Sequence, residues 1–184
     1  MSIPFLIFLV IVINLFFIYN SLVSKKNQVQ NIFASLDAVL KKRYDLIPNL
    51  VATVSKYMEH EKSLLSEVTK LRSDANKPNV SDDQKIALDA KLSSALGSIM
   101  IAVENYPDLK ANENVMHLQA TLNEVEEQIS AARRAYNQAV TDYNNKIEMI
   151  PSNFIAMAIG YKRKEVFHIP DAQRENINVK ELFN

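Results

Sequence analysis

The chain begins with an unbroken apolar run. From Ile3 to Tyr19 it has no charged side chain, and Asn14 is the one strongly polar residue. Extended to Val23, the run reaches the roughly 20 residues that a helix needs to cross about 30 Å of hydrocarbon. Residues 1–23 are therefore predicted to form a transmembrane anchor. The side chains expected to hold it in the bilayer are Ile3, Phe5, Leu6, Ile11 and Phe16, with Tyr19 at the interface.

A cleaved signal peptide is the alternative for this run. It would carry basic residues before the apolar stretch and small residues in an A-x-A pattern after it. Only Met1 and Ser2 precede the run, and Tyr19–Ser24 lacks that pattern, so an uncleaved anchor is favoured. Basic side chains follow the span and none precedes it, which places the rest of the chain in the cytoplasm. These basic residues are Lys25, Lys26, Lys41, Lys42 and Arg43.

A long helical stripe follows the anchor. From Leu22 to Leu71, alternating steps of four and three residues reach an apolar side chain at twelve of fifteen positions. That period is typical of a coiled-coil seam and excludes a strand. The stripe predicts one helix over residues 24–76, kinked near Pro48, where a backbone donor is missing. Asp45 could cap a restarted helix there.

Further helices are predicted from capping residues and apolar periodicity. Ser81-Asp82-Asp83-Gln84 has the pattern of a capping box. Ser152 is expected to cap a short last helix, with Gly160 just past its end. The fold class is therefore all-α: an N-terminal transmembrane helix followed by a long antiparallel up-and-down bundle. The predicted helices after the first span residues 82–105, 109–149 and 153–159, within a bundle over 24–160 and before a C-terminal tail over 161–184.

The unequal lengths of these helices leave part of the first one uncovered. At about 1.5 Å per residue, helix 24–76 is roughly 80 Å long and helix 82–105 only about 36 Å. The tail, helix 109–149 or a second copy of the chain must cover the membrane-proximal stripe. Since an uncovered apolar stripe marks an interface, we expect a homo-oligomer. The candidate self-association residues are Val29, Phe33, Leu36 and Leu40.

Composition excludes several kinds of chemistry. The 21 basic and 21 acidic side chains cancel, which gives no reason to expect a nucleic-acid partner, and the chain has no cysteine. His60, His117 and His168 form no metal-binding motif, and the two glycines cannot build a phosphate loop. We expect no catalytic residue, no cofactor, no metal and no small-molecule substrate, and hence no enzyme. A carboxylate site hidden in the bundle is the enzymatic alternative.

Two polar strips are candidate interaction surfaces. Caps and kinks also use Asp and Asn, so a structural role is favoured for both. A Tyr-Asn pair recurs at Tyr136 and Tyr143, seven residues apart and thus on one helix face, where a buried ring suffices as explanation. The candidate residues of the strips are Arg43, Asp45 and Asn49 in one and Asp108 and Asn112 in the other.

An apolar stretch, Phe154–Ile159, precedes the basic run Lys162-Arg163-Lys164. Together they could touch an anionic membrane surface. Alternatively the short helix packs across the end of the bundle. This second interpretation is favoured, because two turns are short for an interfacial helix.

Several blocks of the sequence resemble the bacterial LemA family. The resemblance implies a single-span protein of the bacterial inner (cytoplasmic) membrane with a long antiparallel helical domain, and it implies no established catalytic residues. Some relatives are linked to membrane remodelling or organelle formation. The sequence differs from the family's usual pattern at Phe33-Ala34, where the family usually has Ala-Trp. The blocks that carry the resemblance are Tyr19–Val23, Lys42–Val51, Glu104–Asn112, Ala132–Asn137, Pro151–Asn153 and Gly160-Tyr161 with Phe167.

These observations favour a non-catalytic scaffold or interaction protein anchored in the membrane and associating with itself. Membrane lipid is its expected partner, and a further protein partner is left unidentified. The alternative is a regulatory or sensor partner of a membrane enzyme or protease.

Overall fold

The computed structural model describes residues 3–167 of the chain. Within that part there are helices and no strands, which confirms the all-α prediction. The predicted C-terminal tail over residues 161–184 lies mostly outside the described residues, and only its residues 161–167 are described. The helices are α1 (Ile3–Val54), α2 (Lys62–Ala75), α3 (Asp82–Val103), α4 (Pro107–Lys110), α5 (Glu113–Glu148) and α6 (Ser152–Ala158).

Helix α1 carries both the apolar run and the first half of the bundle. Its side chains from Ile3 to Phe17 are exposed, and Leu22 is the first fully buried one. Of the described helices, α1 and α3 are long and apolar enough to cross a membrane. Helix α3, however, has a buried face that includes Asp89, as expected of a core helix. The N-terminal part of α1 is therefore the candidate membrane-spanning segment.

The single helix predicted over residues 24–76 is wrong, because the chain turns back between Val54 and Lys62. No Gly or Pro lies in that turn, so the sequence has no breaker to signal it. The apolar side chains of the stripe are still buried, because folding back packs its two halves against each other. Its buried members here are Ile47, Leu50 and Val54 in α1 and Val68 and Leu71 in α2, while Leu64 is half-buried and its neighbour Leu65 is buried in its place.

Pro48 does not end α1, which continues for six residues beyond it. A proline lacks the N–H that would bond the carbonyl four residues earlier, here that of Tyr44. The guanidinium of Arg72 on α2 supplies the missing donor, with Nε 2.8 Å from the Tyr44 oxygen. The restarted helix is therefore absent, and Asp45 is no cap. Its carboxylate pairs with Lys41 at 3.3 Å instead.

Helix α5 lies antiparallel to α1 and covers the membrane-proximal stripe. Three contacts at different heights fix this register: Lys25 Nζ lies 2.9 Å from Asp142, Arg43 Nη1 2.7 Å from Glu126, and the Phe33 ring 5.6 Å from the Tyr136 ring. The four residues expected at a contact between copies are thus buried within one chain: Val29, Phe33, Leu36 and Leu40. The uncovered stripe that motivated self-association does not exist, because α5 reaches where α3 cannot.

The predicted cap is confirmed at α3 and wrong at α6. Ser81 and Gln84 form the capping box of α3. Asn112 caps α5 by accepting from the amides of Asn114 and Val115. Ser152 does not cap α6, because its hydroxyl donates to carbonyls at the end of α5 instead, 2.6 Å from that of Lys146. Gly160 takes the positive φ of 74° expected just past the helix end.

The Pro48–Arg72 pairing predicts a measurable coupling. Arg72→Met should lower the free energy of unfolding by about 1–3 kcal/mol, because the Tyr44 carbonyl loses its donor. In a Pro48→Ala background the same change should cost clearly less, because the new backbone N–H bonds that carbonyl. Urea unfolding of the full chain in mild detergent, followed by circular dichroism, gives the double-mutant cycle. Equal costs in both backgrounds would show that the pairing is incidental.

Candidate functional site

Four charged side chains from three helices meet in the middle of the bundle. We call Arg43, Asp89, Glu126 and Arg133 the charge cluster. Arg43 and Asp89 are 1% and 0% exposed. Both guanidinium groups contact the Asp89 carboxylate, and Arg43 Nη1 lies 2.7 Å from Glu126 and 2.8 Å from the hydroxyl of Ser93. The cluster therefore ties α1, α3 and α5 together at one level.

The charges of this cluster are balanced. Burial lowers the pKa of Arg43, and the neighbouring Glu126 carboxylate opposes that shift. Burial likewise lowers the pKa of Arg133, again against Glu126. Two cations face two carboxylates, so no member is left as an unopposed acid, base or nucleophile. This arrangement is better suited to holding the three helices together than to catalysis.

Two tyrosine rings extend the polar interior on either side of the cluster. Burial raises the pKa of Tyr136 to about 12 and also raises that of Tyr44. Both phenols therefore stay protonated at neutral pH. Tyr136 packs edge-on between Phe33 and Phe167, with ring centroids 5.6 and 5.3 Å away. The aromatic stack joins α1, α5 and the residues after α6.

Two cavities flank the cluster. One of about 260 Å³ lies between α3, α5 and the segment Glu165–Phe167. The other, of about 230 Å³, lies between α3 and α5 beside Arg43. Their charged walls are members of the balanced cluster, joined by Asp83 and Glu165 in the first cavity. Neither presents a group of side chains prepared for a defined ligand.

The residues after α6 form an extended strap along α5. The Asn144 side chain bonds both the N–H and the carbonyl of Lys164, at 3.0 and 2.9 Å. Asn137 does the same for Phe167, at 2.8 and 3.0 Å. The two asparagines are seven helical residues apart and their two partners are three extended residues apart. Both separations are about 10 Å, so each asparagine lies opposite its partner. The Tyr-Asn repeat noted in the sequence thus binds main chain, a role that the aromatic pattern alone does not reveal.

The candidate interaction strips are only partly on the surface. Arg43 is buried in the charge cluster, so its assignment to a surface strip is wrong: its charge is neutralised inside the bundle. Asp45, Asn49 and Asp108 are exposed, while Asn112 is half-buried in its capping role. Asn112 lies fourteen residues before Glu126 on α5, and is thus about 21 Å along the helix from the level of Arg43.

No group of three or more potential metal ligands occurs within residues 3–167. His60 and His117 lie in that range on separate elements. His168 lies outside the described residues.

The fold defines a class: a helical bundle continuous with an N-terminal apolar helix that is long enough to cross a membrane. The chain belongs to the LemA family, whose pattern matches residues 32–180. It is similar to "Protein LemA" of Metamycoplasma hominis, with 26% identity over 98% of this chain and 84% of that protein. It is also similar to "Magnetosome protein MamQ 2" of Paramagnetospirillum magneticum (25%) and "Magnetosome protein MamQ" of Magnetospirillum gryphiswaldense (23%), each over 90% of this chain and 70% of the relative.

The charge cluster predicts a large cost for removing one partner. Arg43→Met should lower the free energy of unfolding by about 3–5 kcal/mol, because Asp89 stays buried with half its neutralising charge gone. Arg43→Met with Asp89→Leu should recover much of that loss, because no unpaired charge is then buried. Urea unfolding in mild detergent measures both. Lys41→Met, which breaks an exposed pair on the same helix, is the control and should change stability by no more than about 0.5 kcal/mol. A double variant as unstable as the sum of its parts would contradict this account.

The strap predicts position-specific hydrogen exchange. Replacing Asn137 and Asn144 by Ala should accelerate exchange of the Lys164 and Phe167 amides about tenfold, the equivalent of losing roughly 1.4 kcal/mol of hydrogen bonding. Asn145→Ala, on the exposed side of the same turn, is the matched control and should leave both amides protected. Unchanged protection in the double variant would mean that packing of Phe167 alone holds the strap.

Proposed function

We propose that this protein is a non-catalytic scaffold of the bacterial inner membrane, which associates with itself and holds its bundle on the cytoplasmic side. The observation that carries the proposal is the continuity of α1 from the anchor to Val54. A bundle joined to its anchor by a helix, and not by a flexible linker, keeps a fixed position relative to that anchor.

The bundle supports this rigid connection along its length. From Leu22 to Val54, α1 extends about 50 Å beyond the apolar run. It is fastened near the membrane by Lys25–Asp142, further out by Asp37–Lys85 at 2.7 Å, and then by the charge cluster. Such a rod presents the far end of the bundle at a set distance from the membrane. That property suits a scaffold more than an enzyme.

Self-association needs a surface other than the buried stripe. The anchor offers one, because its side chains are exposed on all sides from Ile3 to Phe17. Asn14 donates to the carbonyl of Val10 at 2.9 Å, which satisfies one of its amide hydrogens locally. Its side-chain oxygen can still accept from a second helix within the bilayer. The anchor is therefore the proposed contact between copies.

The relatives support a structural role. The names of the MamQ relatives refer to the magnetosome, and none of the similar proteins is named for a reaction. By extension we propose for this chain a role in organising a membrane region and not in converting a substrate.

A regulatory partner of a membrane enzyme or protease is the second candidate. One observation favours it: three exposed apolar side chains lie near the end of the bundle far from the membrane. Exposed apolar side chains gathered at one end of the bundle would suit contact with another protein. They are Tyr57, Ile101 and Met116.

Sedimentation equilibrium of the full-length protein in density-matched mild detergent tests self-association. We expect a defined oligomer whose association weakens roughly threefold to twentyfold in Asn14→Leu, because an interhelical hydrogen bond is lost. Ile13→Leu, a change in the same turn that removes no polar group, should leave the association unchanged. A monomer at all concentrations would contradict self-association and favour the regulatory candidate. An oligomer indifferent to Asn14→Leu would place the contact outside this part of the anchor.

A further inference from the structure

Helix α6 and the turn before it lie at the membrane end of the bundle. We call residues 149–159 the foot. On the chain entering the foot, Asp142 pairs with Lys25 at 2.9 Å. On the chain leaving it, the Tyr161 ring lies 5.1 Å below the ammonium of Lys26. The segments that enter and leave the foot thus both contact the same turn of α1, and the foot lies on the membrane side of that turn.

The foot reaches the depth at which α1 enters the bilayer. Six residues of α5 beyond Asp142 descend about 9 Å, to the level of Tyr19. Helix α6 packs against α1 as well as α5. The bundle already shields Ile18 in part and Leu22 fully. Since the apolar run needs residues up to about Val23 to cross the hydrocarbon, the foot is at the interface.

One face of the foot is apolar and uncovered. Ser152 and Ala156 are buried against the bundle. Phe154 and Met157, three residues apart on the opposite face, are 64% and 75% exposed. Met149 and Ile150 in the preceding turn are exposed too. Single exposed apolar residues are common, but four within nine residues make a patch that calls for a partner. The expectation that α6 merely packs across the bundle accounts for its inner face alone.

The charges around the foot favour an anionic bilayer as that partner. No residue of α6 is charged, whereas Lys146 precedes the foot and Lys162-Arg163-Lys164 follows it. Lys162 and Arg163 are exposed, although Arg163 shares its charge with Glu148 at 2.6 Å. Apolar side chains with flanking cations are the pattern of elements that lie in the headgroup region.

We propose that the foot inserts Phe154 and Met157 into the headgroup boundary of the bilayer that α1 crosses, with Lys162–Lys164 on anionic headgroups. A single helix leaves a protein free to tilt in the bilayer, even when the bundle is rigidly joined to that helix. The foot is a second attachment beside the helix, and it limits this tilt. The proposal rests on α1 crossing the membrane and is independent of self-association.

Site-specific fluorescence quenching tests the proposal directly, because the chain has no cysteine to compete for the label. Phe154→Cys and Met157→Cys are labelled with an environment-sensitive fluorophore in the full-length protein. The proteins are placed in nanodiscs of 70% phosphatidylcholine and about 30% phosphatidylglycerol carrying a shallow spin-labelled lipid. Ile101→Cys, equally exposed at 73% but at the distal end, is the matched control.

We expect at least about twofold stronger lipid quenching at positions 154 and 157 than at 101, as a membrane-inserted face requires. Quenching no stronger than at 101 would overturn the proposal. Protection from aqueous iodide without lipid quenching would overturn it as well, because a protein surface would then cover the foot.

Charge reversal tests the electrostatic part. Lys162→Glu, Arg163→Glu and Lys164→Glu together should reduce quenching at 154 in anionic discs, whereas Lys56→Glu with Lys62→Glu at the distal turn should not. Equal quenching in all three backgrounds would overturn the role of the cations. Far-UV circular dichroism of each variant verifies that the bundle is intact.

Discussion

The burial of the α1 stripe against α5 is the interaction on which the rest of the structure depends. Helix α1 has apolar side chains on one face for more than 30 residues past the anchor, and only α5 is long enough to cover the half nearest the membrane. Because α5 runs to the level at which α1 leaves the bundle, the chain must turn there, which places α6 at the end of the bundle next to the N-terminal apolar run. The return of the chain along α5 then produces the strap. The elements at the membrane end follow from this one pairing.

Polar contacts set the register of this apolar pairing. A stripe of Leu, Ile and Val could slide by a turn at little cost, because its side chains are similar. The charge cluster cannot, since a shift would leave Asp89 buried without Arg43 and Arg133. Buried ion pairs add little net stability, but they penalise misalignment heavily. Arg72 has a similar effect between α1 and α2, because only one backbone carbonyl in that stretch lacks a donor.

Local signals in the sequence predicted much of the fold, and contacts distant in sequence account for most of the errors. The helical stripe of α1, the Ser81 capping box and Gly160 depend on residues close together in the chain, and these predictions are confirmed. The turn between α1 and α2 has no Gly or Pro, so packing of the stripe against itself decides it. Arg43 occupied a seam position, yet its charge suggested a surface, because its partners on α3 and α5 lie 46 and 83 residues away. Ser152 failed as a cap for a local reason, because its hydroxyl donates to the carbonyls of Lys146 and Met149 at the end of α5, six and three residues earlier.

Because α1 is continuous, the number of residues between the anchor and the bundle sets the direction in which the bundle faces. In an α-helix each residue adds about 1.5 Å of rise and about 100° of rotation. One residue inserted between the anchor and Leu22 would therefore turn every face of the bundle by more than a quarter of a circle about the membrane normal while hardly changing its height. In a protein of this architecture, the length of a single helix determines which face of the bundle is turned toward neighbouring molecules.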